Sequence, residues 1–195
     1  MLFRSHGDVA PVVGVAVERG GSNSLIRRSR NQNFTAFMDD LIDLHSDSFF
    51  MAEALRQARR AWEREEVPVG AVVVHRGQII ARAFNQVETL KDATAHAEML
   101  AITQAESVIG DWRLNECEIY VTKEPCAMCA GALVHVRMQR VVFGCPSAKD
   151  GAGGSVLNLL QHPQLNHRCE ITSGVRHDEC AGMLQSFFRE RRAGG

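Results

Sequence analysis

Apolar side chains recur at Phe50, Ala54, Leu55, Ala58 and Trp62 across residues 49–65, a spacing that puts them on one face of a helix. Past Pro68 the pattern changes. Residues 69–75 and 78–84 are rich in Val, Ile and Ala, and the two-residue break Arg76-Gly77 predicts that they form a β-hairpin. Helical spacing returns over 97–108. The apolar run 118–122 predicts a buried strand leading directly into a second helix that starts near Pro125, and 140–144 predicts another strand. Segments 156–161, 170–173 and 178–192 complete the pattern. Helix alternating with strand predicts an α/β layered sheet with helices on its faces.

Two motifs sit where strands give way to helices: Thr94-Ala95-His96-Ala97-Glu98, and Pro125-Cys126-Ala127-Met128-Cys129 about thirty residues later. Residues three apart share a side of a helix, so Cys126 and Cys129 form a pair, and the partial positive charge of a helix start favours thiolates there. His96 completes a set of three soft or borderline donors. A structural zinc site closes with four protein ligands, whereas a catalytic one keeps a position open, so three ligands imply one catalytic zinc ion per chain. Glu98, a hard oxygen donor, is better used as a proton shuttle beside the metal. His96 and Glu98 cannot share one face of a regular helix, which places His96 in a first turn. A redox pair or half of a zinc ribbon would also use C-x-x-C, but the chain has no second C-x-x-C, and a redox pair leaves His96 and Glu98 without a role. Both motifs follow extended segments, so the site belongs at one end of the sheet, where helix N-termini converge.

The H-x-E and P-C-x-x-C elements resemble those of the zinc-dependent base deaminases, the cytidine/deoxycytidylate deaminase superfamily. The likeness extends in order through Glu66-Val67-Pro68-Val69-Gly70-Ala71-Val72, Asn85, Val141-Val142-Phe143-Gly144, Asn166-His167-Arg168, and Phe187-Phe188-Arg189 with Arg191-Arg192. Those flanking runs are similar to the branch that acts on tRNA adenosine, and they span residues 47–193 approximately. The resemblance implies a three-layer α/β/α cytidine-deaminase-like fold with a five-stranded mixed sheet. It implies hydrolytic deamination of the wobble adenosine of a tRNA anticodon stem-loop by zinc-activated hydroxide, carried out by a homodimer. By the same likeness Asn85 hydrogen-bonds the base, Val67 and the Ala97 backbone line the pocket, and the loop holding Ser147 approaches the ribose. Two positions depart from the family pattern: Ser147 stands where an acidic residue is usual, and Lys123 where an apolar one is usual. Two other readings remain open: a zinc deaminase of a free base or nucleotide (guanine, cytosine or dCMP type), and a non-catalytic zinc protein that binds RNA.

At 195 residues, 45% hydrophobic and 23% charged, the chain is long enough for one core, and its net charge of −1 excludes a uniformly basic coat. RNA contact must then use a local patch, for which Lys149, Asn166, His167, Arg168, Arg189, Arg191 and Arg192 are the candidates. Residues 1–46 differ in kind from the rest. Up to Asn33 they hold five arginines against Asp8 and Glu18, and they show no sustained period, which predicts a disordered extension ahead of a deaminase domain at 47–195. The glycine-bearing loop 145–155 is expected to be a mobile rim. With two of six cysteines assigned to metal, Cys117, Cys145, Cys169 and Cys180 are expected as buried free thiols. No apolar run reaches eighteen residues and no signal peptide is evident, so no membrane association is expected and the cytoplasm is the expected compartment.

Overall fold

The computed structural model describes residues 43–194, so the expectation of disorder for 1–46 falls almost wholly outside the described residues. Residues 43–46 form a turn, and Ser46 is the N-cap of the first helix, α1 (Asp47–Glu63), its hydroxyl accepting from the Phe49 amide. The hairpin follows as β1 (Gly70–His75) and β2 (Gln78–Phe84). Arg76 and Gly77 both lie at positive φ, 50° and 76°, as a tight turn matched to strand twist requires. A short helix α2 (Val87–Leu90) precedes α3 (Ala97–Ile109). Then come β3 (Cys117–Lys123), α4 (Ala127–His135), β4 (Arg140–Cys145), β5 (Glu170–Ser173) and α5 (His177–Ala193).

Among the described residues the strands form one mixed sheet in the order β2-β1-β3-β4-β5. β1 pairs antiparallel with β2 and β3, while β3, β4 and β5 run parallel. Alternation along each strand divides the core in two. Val73, Ile119, Val121, Val141 and Phe143 pack with Ala101, Ile102, Ala130 and Leu133 of α3 and α4. Val72, Val74, Tyr120 and Val142 face the other way, against Phe50, Met51, Ala54 and Leu55 of α1 and Cys180 of α5. Because β1, β3 and β4 are covered on both faces, they read as nearly unbroken apolar runs, as central strands should. The architecture is thus the expected α/β/α sandwich on a five-stranded mixed sheet.

Segment 156–161 forms no regular element: it is a string of turns whose one bridge joins Gly153 to Asn158. All six cysteines are free, and Cys117, Cys145, Cys169 and Cys180 are buried. Among the described residues no helix is long and apolar enough to cross a membrane.

The parallel strands β3 and β4 give the sheet a polarity, with their starts at one end and the motif-bearing turns at the other. At the starting end Arg140 donates to Asp47 of α1 at 2.6 and 2.9 Å, to Glu118 at 2.9 Å and to Thr172 at 2.8 Å, and the Tyr120 hydroxyl also reaches Asp47. The network ties α1 to three adjacent strands. The hydrogen bonds from Arg140 hold the Asp47 carboxyl below its usual range, against the burial that would raise it. A depressed folded-state pKa gives stability that is present above the unfolded value of about 3.9 and is lost as pH falls through the lowered folded value. Asp47→Asn is expected to cost roughly 1–3 kcal/mol in urea unfolding at pH 7, with wild type and variant converging as the pH falls below the ordinary carboxylate range.

Candidate metal centre and catalytic site

The other end of the sheet gathers the two motifs. His96 is the N-cap of α3, with extended φ −71° and ψ 154°, and Cys126 is the N-cap of α4, with φ −73° and ψ 175°. His96 therefore lies just before the first turn rather than in it, and Pro125 lies outside the helix whose N-terminus carries both cysteines as expected. The physical reason is the same in each case. An extended cap residue swings its side chain back over the helix start, where a residue already in the spiral follows the helical face. His96 Nδ1 then lies 3.7 Å from Cys126 Sγ and 3.4 Å from Cys129 Sγ.

The three donor atoms lie within 4.8 Å of one another. Ligands placed about 2.0–2.3 Å from a shared tetrahedral centre would be separated by roughly 3.5–3.8 Å, so the spacing fits zinc. The donor set fits too: hydrogen bonding from Cys129, with His96 close by, pulls the Cys126 thiol down to about 3, so a thiolate is available. Its hydrogen bond to Cys126 likewise keeps His96 above its ordinary value, a charge that a metal ion would displace. Cys129 is fully buried while His96 and Cys126 are partly exposed, which leaves the fourth side of the cluster facing outward.

Glu98 occupies the second position of α3, buried, with its carboxyl against the Cys129 sulfur. Burial pushes its pKa above the usual carboxylate range. A carboxyl whose pKa is raised holds a proton more readily than an ordinary one, which suits a group that is first base and then acid. Ala97, between the two functional residues, has no exposed surface.

Asn85 follows β2 and is buried, its Nδ2 donating to Glu66 Oε2 at 3.2 Å. Glu66 also accepts from the Glu88 and Thr89 amides at 3.2 and 2.6 Å. Despite burial that would raise it, those hydrogen bonds hold the Glu66 carboxyl low. Glu66 thereby fixes the Asn85 amide and caps α2 at once, and Asn85 Oδ1 has no partner among the described residues. Val67 is partly buried and lines a groove of about 550 Å³ that also takes in Arg64, Lys91, Phe188 and Arg191.

The rim loop is tied down rather than loose. Glu124, buried ahead of Pro125, accepts from the amides of Ser147, Gly153 and Ser155 and from the Ser155 hydroxyl. Gly151 pairs its backbone with Cys126, and the Ala152 amide donates to Pro125 O at 2.8 Å. A Cβ on Gly151 would run into the Glu124 carboxylate. Gly151 therefore serves close approach rather than mobility. Ser147 is buried at the rim and Lys149 is exposed beside it.

The candidate RNA contacts other than Lys149 separate into two places. Arg189, Arg191 and Arg192 end α5, which packs on α1 through Phe187 and Trp62; Arg191 lies over the Phe187 ring, donates to Glu65 O and borders the groove that contains Val67. Asn166, His167 and Arg168 lie instead near the starts of β4 and β5, the end of the sheet away from the metal ligands. His167 Nε2 meets Met138 O at 2.8 Å, Arg168 donates to Pro163 O, and Arg137 donates to Asn166 O. These contacts hold the 162–168 turn against the sheet end.

Sequence reasoning missed the two buried carboxylates, Glu66 and Glu124, that position the substrate-side elements. A signal was present, since each stands within two residues before a proline and next to an apolar stretch, an odd place for an uncompensated charge.

A family model described as the cytidine and deoxycytidylate deaminase zinc-binding region matches residues 44–145. The chain is 51% identical over 146 residues to the tRNA-specific adenosine deaminase of Bacillus subtilis, covering 75% of this chain and 91% of that one. It is 47% identical to the enzyme of the same name from Aquifex aeolicus over 144 residues, 74% and 95% of the two chains. A solved structure from work on A-to-I editing by tRNA:A34 deaminases at the wobble position superposes with a TM-score of 0.67 at 42% identity, covering 69% of this chain and 98% of that one. The guanine deaminase of Nitrosomonas europaea shares the fold, with a TM-score of 0.64 at 24% identity over 73% and 84% of the chains.

Proposed function

Since the chain belongs to the tRNA-specific adenosine deaminases of the cytidine and deoxycytidylate deaminase family, we propose that it is a zinc-dependent hydrolase converting the wobble adenosine of a tRNA anticodon to inosine. The observation that carries this reading is the buried Glu98 carboxyl beside a three-ligand metal set with one outward side. Zinc, when bound by His96, Cys126 and Cys129, supplies Lewis acidity that lowers the pKa of water from 15.7 to about 7.

The remaining work belongs to side chains of this chain. Glu98 Oε accepts the proton of the attacking water and delivers it to the ring nitrogen, which makes the amine-bearing carbon electrophilic. Glu98, again a carboxylate, then takes the second water-derived proton from the hydroxyl now on that carbon and passes it to the amine; the carbon–nitrogen bond breaks, ammonia leaves, a carbonyl remains on the ring, and the carboxylate is back in its starting state. Asn85, held by Glu66, presents Oδ1 to the base, while Val67 and the Ala97 backbone form the walls. A base stacked in a duplex could not reach Glu98, so a loop nucleotide is the accessible substrate.

Cations at the end of α5 and around the Val67 groove support contact with the flanking RNA of the stem-loop. Asn166, His167 and Arg168 lie too far along the sheet to act on the same nucleotide. A homodimer in which each subunit extends the RNA surface of the other accommodates them. Exposed Leu90, Val108, Val156, Leu157 and Leu165 supply apolar surface for such a contact. Free thiols throughout are in keeping with a cytoplasmic enzyme.

The alternative within the same chemistry is deamination of a free base or nucleotide. Incubation with an anticodon stem-loop carrying adenosine at the wobble position, in parallel with free guanine, cytosine, dCMP and adenosine, separates the two. Inosine in the stem-loop with no ammonia from the small molecules is expected. Ammonia from a free base alone would remove the RNA assignment and leave the zinc chemistry.

A further inference from the structure

Glu66 is a buried carboxylate that does more than anchor α2. It is 1% exposed, stands between α1 and β1, and gathers donors from further along the chain: the amides of Glu88 and Thr89 at 3.2 and 2.6 Å, and Asn85 Nδ2 at 3.2 Å. A carboxylate only accepts, so Asn85 can meet it only through its amino group, and Oδ1 must point the other way. The Asn85 backbone cannot relieve this. Its amide is tied to Val69 O, and the next amide, of Gln86, is tied to Ala95 O, both at 3.0 Å. Among the described residues no fully buried side-chain nitrogen or oxygen lacks a partner, so Oδ1, which has none, opens on accessible space beside the turn that runs from Ala95 to His96.

A locked acceptor reads a base through the donors that the base offers. Adenine carries polar hydrogens only on its 6-amino group, whereas its unsubstituted ring nitrogens are acceptors. An Oδ1 that hydrogen-bonds the base therefore meets the amine itself, the group that deamination removes. Inosine puts a carbonyl oxygen in that place. Two acceptors then face each other with no hydrogen between them, and Asn85 cannot turn its amino group to the product without setting Oδ1 against the Glu66 carboxylate. We propose that Glu66 is a positioning residue that, by fixing the Asn85 amide with its oxygen toward the base, makes the pocket hold a 6-amino purine and repel the 6-oxo product. The assignment rests on the adenosine deaminase reading above.

The test uses full-length zinc-loaded protein, with kcat/KM read on a stem-loop carrying wobble adenosine and Ki read for two competitors, the same stem-loop carrying inosine and one abasic at that position. In the wild type the inosine Ki is expected about tenfold or more above the adenosine KM, because a hydrogen bond is exchanged for two opposed acceptors. Glu66→Gln keeps the size but offers one acceptor and one donor. Its oxygen serves the Thr89 amide, the shortest of the three contacts, and its amino group draws Asn85 Oδ1, which turns the Asn85 amino group to the base. Adenosine kcat/KM is then expected to fall about tenfold and inosine to bind about tenfold more tightly, with the abasic stem-loop unchanged. A loosened fold would weaken both ligands and could not move them in opposite directions. Glu66→Asp keeps an acceptor-only partner and is expected to retain the wild-type order, with inosine the weaker ligand. A wild-type inosine Ki at or below the KM, weakening of both ligands in Glu66→Gln, or an unchanged inosine Ki in that variant would overturn the assignment. Wild-type protein inactive on the adenosine stem-loop would instead bring down the adenosine reading, and this inference with it.

Discussion

Replacing Glu98 with alanine is expected to leave one zinc per chain and to lower deamination by about 10²–10⁴-fold, the range a positioned general acid–base contributes. Glu98 is no ligand, since His96, Cys126 and Cys129 already group within 4.8 Å without it. It sits on α3 two residues from His96, buried at 4% exposure, so truncation opens a small void without unpairing a charge. Metal content and melting temperature should therefore stay close to wild type while turnover collapses. Glu98→Gln is the sharper variant, because it keeps the volume and loses the proton. A Gln variant that still deaminates at wild-type rate would remove the proton shuttle from the mechanism.

Cys129→Ser is expected to do the opposite, removing metal, activity and stability together. Cys129 is wholly buried inside α4, and its sulfur touches both His96 and the Glu98 carboxyl. Serine offers a shorter, harder donor that does not ionise near neutral pH, so the site loses a ligand and retains a buried polar atom. Zinc affinity should fall by roughly 10²-fold or more, with a lower melting temperature that added zinc does not restore. Retention of stoichiometric zinc by Cys129→Ser would mean that the metal is held elsewhere.

Much of this was legible in the chain because its signals are local. The period of α1, the turn at Arg76-Gly77 and the unbroken apolar runs of β1, β3 and β4 follow from burial on one or both faces. The metal ligands were legible because zinc demands particular donors at short spacing. What stayed hidden depends on contacts between distant segments. Glu124 holds residues 147–155 across the site, and no local pattern announces that a glycine-bearing loop is pinned by a carboxylate more than twenty residues away. That His96 is a cap rather than a first-turn residue, and that Pro125 stands outside its helix, was not legible, since a motif gives spacing and not the point at which the backbone leaves its extended course. Nor does sequence order reveal that Asn166, His167 and Arg168 precede β5 at the far end of the sheet, a placement set by the parallel pairing of β4 with β5.

The claim on which the rest depends is that His96, Cys126 and Cys129 hold one catalytic zinc ion. Zinc titrated into metal-free protein, with inosine formation in the anticodon stem-loop read at each step, tests it directly. Activity should rise linearly from background and break at one zinc per chain. Full activity without zinc, or zinc uptake that leaves the protein inactive, would contradict the account.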